Sequence, residues 1–120
     1  MTKRPVFSSE RTFELFGYEG ERGDLLFRSK KTNSHPTRLD VLFQDVRACE
    51  LRFHFSGVNI FEETTEAAYS SSFLSKPADM LEVGLRYYSI EGHSWSGYIL
   101  GGVFRWHEDE EDPLSPSALL

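Results

Sequence analysis

Apolar residues recur at every second position over much of this chain, with turn residues between the runs. That period fits strands with one buried face and leaves little room for amphipathic helices. The clearest stretch is 48–56, where Cys49, Leu51, Phe53 and Phe55 fall on one side and Glu50, Arg52, His54 and Ser56 on the other. A slip of one residue would exchange the faces, so the pattern predicts one strand with the apolar side inward. Leu39, Val41 and Phe43 alternate in the same way, as do Leu81, Val83, Leu85 and Tyr87 against Glu82, Gly84, Arg86 and Tyr88.

Shorter runs at 12–18 and 24–29 flank Glu19-Gly20-Glu21-Arg22-Gly23, whose glycines permit the positive φ of a hairpin loop. Breaks follow at 31–36 and at Gly57, with a short strand expected over 58–62. A long final hairpin is predicted, with arms 81–90 and 96–106 joined by 91–95. Its second arm is apolar on both sides, and Gly101-Gly102 in its middle points to a bulge or to close approach by another backbone. Residues 62–76 show neither period, and the stretch reads as a short helix near 63–69 or a long surface loop. The expected fold is mainly β, about seven antiparallel strands in a sandwich or strongly bent barrel-like sheet, with at most one short helix. A small ligand-holding barrel is the alternative.

With 120 residues the chain suits a single core, read as a β-rich domain over 1–107 and an acidic, poorly ordered tail over 108–120. The net charge of −6 is concentrated in Glu108-Asp109-Glu110-Glu111-Asp112; without that run, 13 basic residues face 14 acidic ones, so the remainder is close to neutral. Beyond solvation, the acidic segment has two readings: docking on a basic partner, or folding back onto 28–38. No apolar run reaches the roughly 18–20 residues of a membrane span, and the cytoplasm is the expected compartment.

Motifs for chemistry are sparse. Gly92-His93-Ser94-Trp95-Ser96-Gly97 resembles a hydrolase nucleophile elbow, but a strand pattern follows it where a helix is required. His35, His54, His93 and His107 include no close pair, so neither a metal nor another cofactor is expected. Cys49, on the apolar side of its strand, reads as a small buried hydrophobe. If Tyr87 faces inward, Tyr88 faces outward with Arg86. A binding surface built from Arg86, Tyr88, Glu91, His93, Trp95 and Tyr98 follows, with aromatic anchors and charged flanks.

The run Arg38-Leu39-Asp40-Val41-Leu42-Phe43-Gln44-Asp45-Val46-Arg47, followed by the alternation through Phe55, resembles the strand pattern of small uncharacterised bacterial proteins, some grouped with toxin-immunity families. The resemblance implies a bacterial β-rich protein that binds another protein; Phe43, Asp45 and Val46 fit it. The leading functional expectation is therefore a non-catalytic binding or interaction module, with a protein partner or self-association through a sheet edge. The alternative is a small-molecule binder or small enzyme with an interior pocket gated by 62–76. Nucleic-acid binding through Arg28, Lys30, Lys31, His35 and Arg38 ranks last.

Overall fold

The computed structural model describes residues 4–63 and 84–120. Every regular element among them is a strand: β1 (Phe7–Glu19), β2 (Asp24–Ser29), β3 (Arg38–Phe43), β4 (Ala48–Glu50), β5 (His54–Glu62), β6 (Arg86–Gly92), β7 (Trp95–Gly101) and β8 (Phe104–Asp109). All neighbours are antiparallel in one eight-stranded sheet of order β4-β7-β6-β5-β1-β2-β3-β8. The order has two ends, so the sheet bends back on itself without closing into a barrel. The expected mainly β, strongly bent sheet is thus found, with eight strands; the helix expected near 63–69 and the beginning of the arm expected over 81–90 lie outside the described residues.

The bend is made where the sequence signalled it. Gly101 and Gly102 carry the chain from β7 to β8, and a Cβ on either would stand 3.3 Å from the Gln44 carbonyl oxygen. The approaching backbone is the β3–β4 connection, tied by Gln44 N–H to Val103 O, Gly102 N–H to Gln44 O and Arg47 N–H to Leu100 O, each 2.8 Å. The arm expected over 96–106 is therefore two strands. Tyr88 Oη donates to Gly102 O at 3.1 Å, so a core side chain holds the corner.

The single strand expected over 48–56 is also divided. β4 pairs with β7, whereas β5 lies between β6 and β1, so the chain must leave one ladder and enter another across Leu51–Phe53. Phe55 is buried as expected, but Phe53 is 69% exposed and Cys49 is exposed. The shared apolar side and the buried cysteine are thereby corrected: alternation fixes faces only within one continuous ladder. Conversely, Gly57, read as a break, lies within β5 at φ 75°.

Inside the bend Phe7, Phe13, Phe27, Phe43, Phe55 and Ile60 belong to one buried cluster. Phe13–Phe55 and Phe27–Phe55 ring centroids lie 5.8 and 5.5 Å apart, within the range of favourable aromatic pairs. The interior space is only ≈ 20 Å³, about one water. β2 and β3 are buried on both faces. Their outer side carries Leu26 and Leu42 together with Arg28, Arg38 and Asp40, all 3% exposed or less.

The C-terminal segment meets this outer side. Glu108 and Asp109, expected in a free tail, are the last residues of β8. Asp112-Pro113-Leu114-Ser115 then turns, with Ser115 N–H on Asp112 O at 3.0 Å and Leu114 N–H on the Asp112 carboxylate at 2.8 Å; aspartate first and proline second suit such a turn. Its carbonyls accept from the two buried arginines: Arg28 Nη1 donates to Pro113 O and Ser115 O, and Arg38 Nη1 to Asp112 O and Ser115 O, at 2.8–2.9 Å. The fold-back weighed from charge is therefore present, although main-chain oxygens make most of it.

Close backbone approach also explains Gly97, where a Cβ would lie 2.0 Å from Glu50 O. Gly97→Ala is expected to lower stability by about 2–3 kcal/mol in urea denaturation, because β4 must move off β7. Gly17→Ala, with nothing within 4 Å, is the control and is expected to change it by less than about 1 kcal/mol.

Candidate functional site

The six residues expected to share one binding surface are dispersed. Tyr88 is 2% exposed and points into the main core, its ring 5.7 Å from Phe43. Its phenol is held above its ordinary ionisation range by burial, with Glu62 adding to the effect. Tyr88 thus faces the main core instead of outward, and Tyr87 is buried as well, on the other face. Tyr87 and Tyr98 stack at 5.9 Å on the opposite side in a separate buried cluster with Leu85 and Leu100. Trp95 packs on Phe55 at 5.1 Å and folds over Gly92, where a Cβ would lie 2.0 Å from its Nε1. Arg86 pairs with Glu62 at 3.1 Å, and Glu91 is exposed opposite Asn59 and Ser96. His93 lies over Gly57, 3.3 Å from a Glu10 carboxylate oxygen.

The other sequence candidates are used structurally. Arg28 and Arg38, two of the five cations read as a nucleic-acid patch, are buried beneath the C-terminal turns, and Lys30 pairs with Glu14 at 2.8 Å. Ser94 Oγ donates to its neighbour's carbonyl in the β6–β7 turn, followed by a strand. The thiol of Cys49 is pushed up by partial desolvation, which disfavours the reactive thiolate. Among the described residues no three His, Cys, Asp or Glu side chains are grouped as metal ligands.

A different surface gathers the features of a binding site. A groove of ≈ 620 Å³ runs beside the N-terminal part of β1 and the far half of β8, and Val6, Phe7, Leu39, Trp106, Arg11 and Glu108 are among its lining residues. Trp106 is 52% exposed and Val6 46%, while the Trp106 ring lies 5.7 Å from that of Phe7. The indole is thus braced on one side and open on the other. Trp106 stands opposite Val41 in the β3–β8 ladder, on the same face as Phe104, and this inward face loses its cover near the end of β8 because β8 is an end strand.

Arg11 closes the inner end of the groove. β1 changes register between Ser9 and Thr12, and this bulge turns the Arg11 side chain across the gap toward β2 and β3. Nε donates to Ser29 Oγ at 3.0 Å, Nη1 to Thr37 Oγ1 at 3.1 Å and Nη2 to the Thr37 carbonyl, with Glu108 at 3.8 Å. Burial lowers the guanidinium's proton affinity and Glu108 raises it; the net direction is down. Its donors are thus engaged within the fold.

Asp109 links the same end of β8 to the outer face. Both its oxygens accept from Arg38, at 3.0 and 2.9 Å. Burial opposes its ionisation, but the Arg38 hydrogen bonds, the Glu111 N–H and the charges of Arg38 and His107 outweigh it and hold the carboxyl below its ordinary 3.8. A lowered folded value contributes stability that is complete above the unfolded value and lost as pH falls through the folded one. Acid titration of unfolding should therefore show stability draining below about pH 4, and Asp109→Asn should be less stable at neutral pH with a flatter acid limb.

Sequence reasoning missed this groove for two reasons. Residues 7–11 were not read as strand, since Ser8-Ser9-Glu10-Arg11 breaks the alternation at the bulge. Trp106 falls in the aromatic-rich final hairpin, where most aromatic side chains are expected in the core, and nothing in the spacing says that its strand is an end strand. The available signal was an indole two residues before an unbroken acidic run, with only His107 between them. No family model, curated protein or solved structure matches the chain.

Proposed function

We propose that this protein is a non-catalytic binding module that takes a segment of a protein partner into the groove beside β1 and β8. The observation that carries this reading is Trp106, half exposed yet braced by Phe7, next to Val6 in a groove of ligand-binding size. A large aromatic anchor in a preformed recess supplies contact area at low ordering cost, which is the physics of interface hot spots. The resemblance of 38–55 to bacterial proteins of toxin-immunity type points to the same class of activity. An interior small-molecule site has less in its favour, because the space inside the bend holds about one water.

Selection of a random linear peptide library on the wild-type chain and on Trp106→Ala tests the proposal. Sequences should be enriched on the wild type and bind Trp106→Ala at least tenfold more weakly, with the unfolding midpoint of the variant little changed. Failure to enrich any sequence, or equal binding to both proteins, overturns the reading.

A further inference from the structure

We infer that the segment bound in this groove is a basic β-strand that pairs with the edge of β1 left without a strand partner among the described residues; the inference rests on the groove reading above and specifies its ligand. β1 pairs with β5 from Phe7 to Glu14, but with β2 only from Glu14 to Glu19. On the side away from β5, residues 7–13 have no described strand partner. Alternate backbone N–H and C=O groups of a strand point to each side, so this edge is a hydrogen-bonding template. The Arg11 side chain, engaged with Ser29 and Thr37, fills the gap at its own position. The accessible run is therefore Phe7–Glu10, the part of β1 that lines the groove. It spans about 13 Å at roughly 3.3 Å per residue, enough to pair with a short extended segment.

Charge selects the segment. Glu10 and Glu108 line the groove, with side chains 84% and 48% exposed, and Glu110 and Glu111 are exposed just beyond β8. Of the basic side chains lining the groove, Arg11 already faces Glu108, which also accepts from Thr37 Oγ1, and His35 is the other. Glu10 has the exposed His93 imidazole 3.3 Å away, and Asp109 is taken by Arg38. The rim is thus acidic, and the open Trp106 ring beside it suits an ammonium or guanidinium by cation–π attraction. A strand alternating Lys or Arg with β-branched apolar residues fits both demands. Its apolar side chains meet Phe7 and Trp106, its cations meet the carboxylates, and its backbone meets β1.

The test titrates the full chain with three capped seven-residue peptides: one alternating lysine with valine, its glutamate–valine counterpart, and the lysine–valine peptide with alternate amide nitrogens methylated. Binding is followed by calorimetry and by the amide resonances of residues 6–10. The lysine peptide should bind, perturb those amides and weaken as salt rises from 20 to 300 mM. The other two should bind at least tenfold more weakly, and Glu10→Gln/Glu110→Gln/Glu111→Gln should flatten the salt dependence. Equal binding of the methylated peptide, still lost in Trp106→Ala, overturns strand pairing and leaves the groove reading standing. Equal binding of the glutamate peptide overturns the charge assignment. If no peptide binds, the selected sequences included, both readings fall. If the free protein dimerises and Trp106→Ala abolishes the dimer, the occupant is a second copy and the basic-peptide assignment is overturned.

Discussion

Asp40→Leu is expected to remove about 3–5 kcal/mol of folding stability, a large share of the roughly 5–15 kcal/mol that holds a domain together. The Arg28 guanidinium is fully buried and grips Asp40 through two hydrogen bonds, Nε to Oδ1 at 2.6 Å and Nη2 to Oδ2 at 2.9 Å. Its plane also covers the Phe16 ring at 3.8 Å. Without Asp40 a buried cation keeps, among the described residues, two main-chain carbonyls and an aromatic face, and the low dielectric that strengthened the pair then penalises the survivor. The double variant Arg28→Met/Asp40→Leu should recover most of the loss, since neither charge remains to be desolvated. A denaturation double-mutant cycle reads both effects. A single-variant loss below about 1 kcal/mol would show that Arg28 is solvated, contrary to the packing described.

Arg38→Lys is expected to release the C-terminal turns while keeping the charge. Arg38 donates to both Asp109 oxygens and to the carbonyls of Asp112, Ser115 and Pro116, an arrangement that needs a planar fork. An ammonium offers three donors from a single nitrogen and cannot span these acceptors. A stability loss of about 2–3 kcal/mol should follow. Hydrogen exchange at Ser115 and Leu119, whose amides bond within the two turns, should accelerate well before exchange in β2 and β3. Unchanged protection at those amides would show that the turns are held by something other than Arg38. Because Asp109 ends β8 only a few residues from Trp106, the same variant tests whether the outer-face clamp also stiffens the groove.

Much of the architecture was legible because alternation is a local property. The short run 24–29 and the alternation of Leu39, Val41 and Phe43 predict β2 and β3, and the structure places Leu25, Phe27, Leu39, Val41 and Phe43 in one buried cluster. Gly101-Gly102 announced a close backbone approach, and the Gln44 carbonyl is there. The divided strands were not legible, since alternation through 48–56 carries no information on when a chain changes partners. The candidate site was least legible. Tyr88 and Trp106 look equivalent along the sequence, yet one holds a corner of the core and the other stands half open at an end strand.

What the chain determines locally is therefore the strand content, the glycines at tight approaches and the acidic character of one end. Only the tertiary structure decided which apolar residues remain uncovered, that two arginines would be buried against main-chain carbonyls, and that β1 would outrun β2 and leave an edge beside a tryptophan. Those outcomes depend on pairings between residues far apart in sequence, such as Arg38 with Asp109 and Val41 with Trp106. A period of two selects a face but carries no information about the neighbour.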